Sequence, residues 1–436
     1  MSKINTSQSL LAVIIGHRIH EIRQTRHLSQ SRIAHGIIGQ SMMSQIESGR
    51  QLPSVETLRL ISERLSDPIL NTYVEMLQTG NMDLELLSSK ENEELACFLT
   101  SNKTAWTNGH LQLASQLCEH YYATDQYEAL GFLSEAAIIN GLDETWGPIF
   151  LYYHGTALLF MGNNTKSLSV LSQAEHNMSS LSNGMRARLL YSLGYIYCQL
   201  DIYGAAMWYV QQSKSEFLQL SDLPGYASSL GLLGTVQSRL GRHPDAQKSF
   251  EGAYEIMLKC SSTDQQLARM ELNLANVCES LNASKEAETW CKMALGRDTD
   301  DMTRSSLHSI LARVNLGTGN SFLTVHHMRQ ACDSADLSND PRTIAMTYIL
   351  ASGILPTPEQ KIASARRAYD VTISCYELQH ALACEILSTL YIKYHIDLPH
   401  ADDLRNEAMI SYRAYISKEI SLSKALEFTA IDRENE

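Results

Sequence analysis

A short segment near the N-terminus carries polar side chains that can read the edges of DNA bases. Four of these polar residues are separated from their neighbours in the set by one, three or four positions along the chain. This spacing places them on one face of a helix. Glutamine can pair bidentately with adenine, and a serine hydroxyl can donate or accept at several bases. Gln30 and Arg50 flank this face and suit contacts to DNA phosphates. The four residues predicted to contact bases are Gln40, Ser41, Ser44 and Gln45.

Helix signals on either side of this segment predict the elements that position it. Leu10 to Arg26 reads as a first helix, with apolar residues at helical spacing. Ser29 is placed to cap a second helix, which buries Ile33 and Ala34. The small Ala34 allows a close crossing of the third helix. These signals predict two short helices that meet at a tight turn.

The third helix is predicted from Gln40 to Ser48, with Met43 and Ile46 facing inward and Gly49 ending it. Gly36 and Gly39 bracket the turn before it, and Ser54 caps a fourth helix that closes the core. A solvated polar face in a small helical domain is the alternative interpretation. The order and spacing of the cap, the turn glycines and the polar helix favour DNA binding.

The charge of the chain is unevenly distributed. The formal net charge is −13. Residues 1–70 nevertheless hold eight Lys and Arg against five Asp and Glu, so this head is mildly basic and the remainder is acidic. A mildly basic head suits approach to phosphates, but attraction this weak would not hold one head on DNA at cellular salt. We therefore expect two heads per complex.

Composition describes an ordinary globular protein of 436 residues, with 44% hydrophobic and 19% charged residues and only nine prolines. Nine cysteines are scattered without a CxxC pair, which favours buried thiols in a reducing compartment over disulfides or a zinc site. The apolar run Leu10–Ile15 is too short for a signal peptide. We expect a cytoplasmic protein without membrane contact.

A repeat with a period near 39 residues runs through the rest of the chain. Leucine or small residues recur at spacings of 38, 39, 40, 41, 37 and 39, and further small residues follow 12 and 19 positions later. This pattern is that of tetratricopeptide-like helical hairpins, in which small residues allow two helices to cross closely. The period exceeds the usual one of about 34 residues, so we expect longer helices or loops. The seven anchors are Leu117, Gly155, Gly194, Gly234, Ala275, Ala312 and Ala351.

These signals predict an all-α chain in which a helix-turn-helix domain precedes a right-handed superhelix of helical hairpins. We place the DNA-binding domain at residues 1–67, a helical linker at 68–105, seven or eight repeats at 106–420 and a tail at 421–436. A degenerate eighth repeat is expected over roughly 380–420.

The first helix of each repeat is expected to line a concave groove. With each anchor as position 8, positions 2, 5, 6, 9, 12 and 13 should face the groove or lie near it. Asparagine can donate to and accept from a peptide backbone, arginine can bind a peptide carboxylate, and tyrosine offers flat apolar area. The predicted peptide-binding residues are Tyr191, Tyr195, Thr235, Arg239, Arg269, Asn273, Asn276 and Arg313, with Ser309 nearby.

The N-terminal segment resembles the phage-repressor (Cro/cI, or XRE) class of helix-turn-helix domains. The matching stretches are Leu28-Ser29-Gln30, Gln40-Ser41 and Ser44-Gln45-Ile46-Glu47-Ser48-Gly49. In that class the first residues of the third helix contact bases, which implies this role for the four residues named above. The turn is one residue shorter than in the best-known phage repressors, so individual base pairings do not transfer.

Together, the head and the long-period repeats resemble the RNPP group of peptide-pheromone-regulated transcription factors. The resemblance implies a homodimer that binds a two-fold operator on double-stranded DNA and a short signalling peptide that changes how its two heads are spaced. It also implies that groove asparagines such as Asn273 and Asn276 hold the peptide backbone.

Two other classes of function remain open. In one, the repeats dock a protein partner such as a response regulator, and DNA binding is secondary. The other is an enzyme, but the sequence has no phosphate-cradling glycine loop, no His-Glu-x-x-His motif and no nucleophile elbow. His17 and His20 have no further metal ligands in register. We therefore expect no catalytic residues, no cofactor and no metal site.

Overall fold

The computed structural model describes residues 2–67, 70, 73–74, 89–101, 106, 108–140, 145–260, 262–373 and 377–431. Within these ranges every regular element is a helix. The chain divides into two compact units, Met1–Ser221 and Asp222–Glu436. The prediction of an all-α chain with a helix-turn-helix head and helical repeats is confirmed.

Four helices form the head. Ser29 caps the second helix by accepting the backbone N–H of Arg32, and Ser54 caps the fourth by accepting that of Thr57, as predicted. The first helix begins at Ser2 instead of Leu10, because the polar residues before Leu10 continue the helix. The four helices are α1 (Ser2–Thr25), α2 (Gln30–Ala34), α3 (Gln40–Glu47) and α4 (Val55–Leu65).

The end of α3 is held by a Schellman motif. The backbone N–H of Gly49 donates to Ile46, and that of Arg50 donates to Gln45, both at 2.9 Å. Gly49 has a φ of +70°, which confirms its predicted role as the helix terminator. The predicted end at Ser48 is one residue late, since Ser48 is the cap.

Close packing joins α1 to this end of α3. A Cβ on Gly16 would lie 2.1 Å from the carbonyl oxygen of Ile46, and a Cβ on Gly49 would lie 2.9 Å from the Cα of Val13. Both contacts are too short for a real Cβ, so the two backbones approach each other only because these positions are glycine. The orientation of α3 is therefore set by α1.

The other side of α1 packs against the first repeat helix. Five consecutive residues, Leu11–Ile15, are all buried, and such a run cannot lie on a single helix face. The helix is covered by α3 on one side and by a helix from Asn108 to Ala123 on another. The apolar run that resembles a signal peptide is thus explained by burial on two sides.

The remaining helices of the first unit form hairpins. After a helix at 89–101, each anchor residue lies on the first helix of a pair, as predicted. The helices are α5 (Ser89–Ser101), α6 (Asn108–Ala123), α7 (Tyr127–Ile139), α8 (Gly147–Phe160), α9 (Asn164–His176), α10 (Asn183–Gln199) and α11 (Tyr203–Gln219). A 3-10 turn, Met178–Ser180, follows α9.

The second unit continues the same pattern to its final hairpin. Its last two helices occupy the region predicted for a degenerate eighth repeat, and the final helix runs beyond residue 420, where a tail was predicted. The helices are α12 (Leu223–Arg239), α13 (His243–Lys259), α14 (Asp264–Ser280), α15 (Ser284–Leu295), α16 (Asp301–Gly317), α17 (Ser321–Ser338), α18 (Pro341–Ile354), α19 (Pro358–Thr372), α20 (Glu377–Tyr394) and α21 (Leu398–Ile431).

Close crossings explain why small anchors recur. A Cβ on Gly194 would lie 2.7 Å from Val210, and one on Gly234 would lie 2.8 Å from Phe250, each on the second helix of the same hairpin. The long period follows from helix length, because most helices from α10 to α16 have 17 residues. In each of the first six hairpins, the turn after the first helix contains a left-handed residue. These are Asp125, Gly162, Asp201, Gly241, Asn282 and Gly319.

Candidate DNA-reading surface and repeat cleft

The outer face of α3 is polar and exposed. All four residues predicted to contact bases are exposed, while Met43 and Ile46 are fully buried on the opposite face. Glutamine and serine side chains held at this spacing on an exposed helix can reach base edges in a major groove. The structure therefore brings together Gln40, Ser41, Ser44 and Gln45 as one surface.

A buried carboxylate at the end of α3 fixes this helix to α1 and α2. Glu47 accepts Nε of Arg23 at 2.6 Å and Nη2 of Arg23 at 3.0 Å. It also accepts Nε2 of Gln30 at 2.8 Å and lies 3.3 Å from Nδ1 of His20. A charge-assisted fork of this kind constrains both distance and angle, so Glu47 positions the reading helix.

The two residues predicted to contact phosphates differ in their surroundings. Arg50 is exposed directly after the Schellman turn, as a phosphate contact requires. Gln30 is half-buried, and its amide is bonded to Glu47, so it supports the reading helix from within the head. Their contacts with DNA remain predictions.

The two tyrosines predicted to face the groove lie in the first unit, on α10. Tyr191 and Tyr195 are both half-buried there. Burial is the main cause that raises the pKa of Tyr191, so its hydroxyl keeps its proton at neutral pH. On the same helix, Arg188 pairs with Glu119 of α6 at 2.7 Å. This helix thus carries both charged and aromatic side chains.

The second unit contains a cleft of about 720 Å³ between the first helices of three successive repeats. Its wall combines apolar and polar side chains, as in many ligand sites. From α14 and α16 it is lined by Asn276, Met302, Ser306, Ser309, Ile310 and Arg313. Asp340, the N-cap residue of α18, also lines it, together with six residues of α18 itself: Arg342, Thr343, Met346, Thr347, Ile349 and Leu350.

Two polar groups in this cleft can orient a ligand. Arg313 donates two hydrogen bonds of 2.8 Å to Glu279, one from Nε and one from Nη2. These two bonds do not use its Nη1. Ser309 is 7% exposed, and among the described residues no hydrogen-bond partner meets its hydroxyl. A buried hydroxyl without a partner is costly, so a polar ligand group bound there would be favourable.

Four further residues predicted to bind a peptide lie in the second unit but do not line this cleft. Arg269 pairs with Asp300 at 2.9 Å, and the Thr235 hydroxyl donates to the carbonyl oxygen of Gly231. Arg239 is exposed and Asn273 is half-buried. Their role in binding a peptide is still a prediction.

The register counted from the anchors works on α16 and fails on α18. Positions 2, 5, 6 and 9 of α16 all line the cleft, so extending the count would have found Ser306 and Ile310. On α18, Ile349 at position 6 lines the cleft, but positions 2, 5 and 9 do not. Asp340 and Arg342, which add both charge signs, precede position 2 and therefore lie outside the register.

The comparisons with known proteins agree with a regulator of this architecture. Residues 19–66 match the helix-turn-helix family HTH_3, which includes all of α2, α3 and α4. The chain therefore carries a DNA-binding helix-turn-helix domain of the XRE type. The sequence finds no significant match among curated proteins.

Solved structures share the fold at low sequence identity. A Rap protein complexed with Competence and Sporulation Factor is 11% identical, with a TM-score of 0.54 over 90% of this chain and 100% of that one. Apo NprR, a quorum sensor from B. thuringiensis, is 13% identical, with a TM-score of 0.52 over 83% of this chain and 97% of that one. The predicted resemblance to RNPP regulators is confirmed in fold and architecture.

The repeat fold also occurs outside this group. The tetratricopeptide-repeat sensor of the STAND protein PH0952 from Pyrococcus horikoshii is 14% identical, with a TM-score of 0.51. That match covers 82% of this chain and 57% of the sensor protein. Among the described helices, none combines the length and apolarity needed to cross a membrane.

Proposed function

We propose that this protein is a transcriptional regulator whose head reads a two-fold operator and whose repeats bind a short signalling peptide. The observation that carries the proposal is the presence of both surfaces in one chain: the exposed polar face of α3 and the cleft around Arg313. The protein acts as a homodimer in the cytoplasm, and the peptide changes the spacing of its two heads.

The reading face supports sequence-specific DNA binding. Gln40 and Gln45 are exposed on a helix whose position is set by Glu47 and by the contact at Gly16. Rigid placement matters because a bidentate pair with a base requires the amide to be correctly oriented. One small, mildly basic head gives modest affinity, so two linked heads at the right spacing gain most of the binding energy.

The cleft supports a peptide as the ligand. It offers apolar area from Met302 and Met346, a buried hydroxyl at Ser309 and a guanidinium at Arg313. An extended peptide can meet all three, since its side chains fill apolar space while its backbone or carboxylate takes the polar groups. Two fold relatives support a signalling role: a Rap protein was solved in complex with Competence and Sporulation Factor, and NprR is a quorum sensor.

The packing of α1 supports a route from the repeats to the head. The same helix contacts α3 through Gly16 and packs against α6, the first helix of the first repeat. A change in the repeats that moves α6 would therefore move the head as a body. A peptide shifts such an equilibrium only by its differential affinity for the two arrangements.

The reading face is tested by Gln40→Ala combined with Gln45→Ala. Binding sites are first selected from random duplex DNA with the full-length protein, and affinity is then measured by fluorescence anisotropy. We expect a loss of about 30-fold or more, since each bidentate contact contributes about 1–3 kcal/mol. The control is Gln212→Ala with Gln219→Ala, two exposed glutamines on α11. Equal affinities of both double variants would overturn the assignment.

A further inference from the structure

A histidine, a cysteine and a glutamate converge in the final hairpin of the described chain. His380 and Cys384 lie four residues apart on α20, and Glu407 lies on α21. Nε2 of His380 is 2.9 Å from Oε1 of Glu407 and 3.5 Å from Sγ of Cys384. The three ligand atoms all lie within 4.8 Å of one another. They combine the nitrogen, sulfur and oxygen donors that zinc accepts.

The hydrogen bonds of Thr372 can orient the ring of His380 for metal binding. The Thr372 hydroxyl donates its single hydrogen to the helix carbonyls of Ala368 and Tyr369, at 2.9 and 3.0 Å. Its oxygen is therefore left to accept Nδ1–H of His380, at 3.1 Å. Nε2 faces Glu407 and Cys384, and a metal would take the place of the hydrogen bond between Nε2 and Glu407. A metal-binding histidine is commonly oriented by such an acceptor on its other nitrogen.

The nitrogen–sulfur separation matches tetrahedral zinc. With Zn–N near 2.1 Å and Zn–S near 2.3 Å, a tetrahedral angle places nitrogen and sulfur about 3.6 Å apart. The observed separation between His380 and Cys384 is 3.5 Å. The oxygen of Glu407 must move outward by about 0.5 Å, given Zn–N and Zn–O near 2.1 Å. Its side chain is 41% exposed and can make this movement.

We propose that His380, Cys384 and Glu407 bind one Zn²⁺ ion that joins α20 to α21, with water as the fourth ligand. On binding, zinc takes the sulfur lone pair of Cys384, and the thiol proton passes to solvent. The site differs from our expectation of no metal because its third ligand comes from the next helix. A metal link between α20 and α21 would stabilise this hairpin.

The experiment uses the full-length, tag-free protein after chelator treatment and dialysis. Zn²⁺ is added during thermal unfolding, and Co²⁺ is added separately because a thiolate ligand gives cobalt a charge-transfer absorption band. We expect one equivalent of metal per chain, a rise in the melting temperature with Zn²⁺, and a cobalt–thiolate band. A wild-type protein that shows no such band and no zinc-dependent shift would overturn the proposal.

Three variants separate a metal site from a plain ion pair. Cys384→Ser should remove the cobalt–thiolate band, and Glu407→Gln, on the exposed side, should weaken zinc binding at least tenfold while the chain stays folded. The control Cys260→Ser removes a half-buried thiol outside the cluster and should leave binding unchanged. If Glu407→Gln lowers the melting temperature equally with and without Zn²⁺, His380 and Glu407 form an ion pair and the proposal fails.

Discussion

Arg23 of α1 and Glu47 of α3 form a bidentate ion pair that is nearly buried. Two nitrogens of the guanidinium reach two oxygens of the carboxylate, and the side chains are 12% and 3% exposed. This relationship connects the first helix of the head to the end of the reading helix. Breaking it leaves a buried charge without its partner, which costs far more than the loss of a surface pair.

Replacement of Glu47 by Gln should therefore unfold or loosen the head. We expect a loss of about 3 kcal/mol in the free energy of unfolding, measured by chemical denaturation, together with weaker DNA binding. Arg59→Ala breaks the exposed pair with Glu56 and serves as the matched control. The control should leave both properties unchanged. Similar behaviour of the two variants would show that the buried pair does not position α3.

Gly16→Ala should destabilise the head by about 3 kcal/mol, because the new methyl group meets the carbonyl oxygen of Ile46. The helices must separate to accept it, which also moves the reading face. Gly204→Ala is the control: no atom lies within 4 Å of its new Cβ, so it should stabilise the protein slightly. Melting temperatures of the two variants provide the measurement, and a tolerated Gly16→Ala would contradict the close crossing.

Acid should destabilise the first unit through two histidines. Burial is the main cause that lowers the pKa of both His17 and His110 to about 4. The unfolded chain takes up these protons below pH 6.5, whereas the folded protein does not until about pH 4. The stability they contribute is complete above pH 6.5 and is lost as the pH falls toward 4.

We expect a loss of about 1 kcal/mol per histidine between pH 7.5 and pH 5.5, measured by denaturation at each pH. His110→Gln should reduce this slope. His35→Gln is the control, because it replaces an exposed histidine and leaves both buried histidines in place. If both variants keep the wild-type slope, His110 does not cause the acid sensitivity.

Much of the head could be predicted because its signals are local. Ser29 and Ser54 cap helices through bonds to residues three positions away, and Gly49 ends α3 through its own backbone conformation. Glu47 was missed as a positioning residue. Its main partner, Arg23, lies 24 residues away, and nothing in the local pattern pairs them.

In the repeats, too, the local signals could be predicted, whereas the full set of residues around the cleft could not. The anchors were found because a small residue is required wherever two helices cross, as Gly194 illustrates. The cleft was only partly predicted, because the start of α18 lines it and this segment precedes the positions counted from Ala351. Asp340 and Arg342 therefore entered the site without a sequence signal.

The coupling between cleft and head is the central claim, and one measurement tests it directly. A synthetic library of five- to ten-residue peptides is screened for binding, and operator affinity is then measured with and without a saturating hit. We predict that the peptide changes the wild-type affinity about fivefold or more. Arg313→Ala should lose this response but keep its basal DNA affinity, whereas the exposed control Arg329→Ala should retain both. An operator affinity that no bound peptide changes would contradict the account.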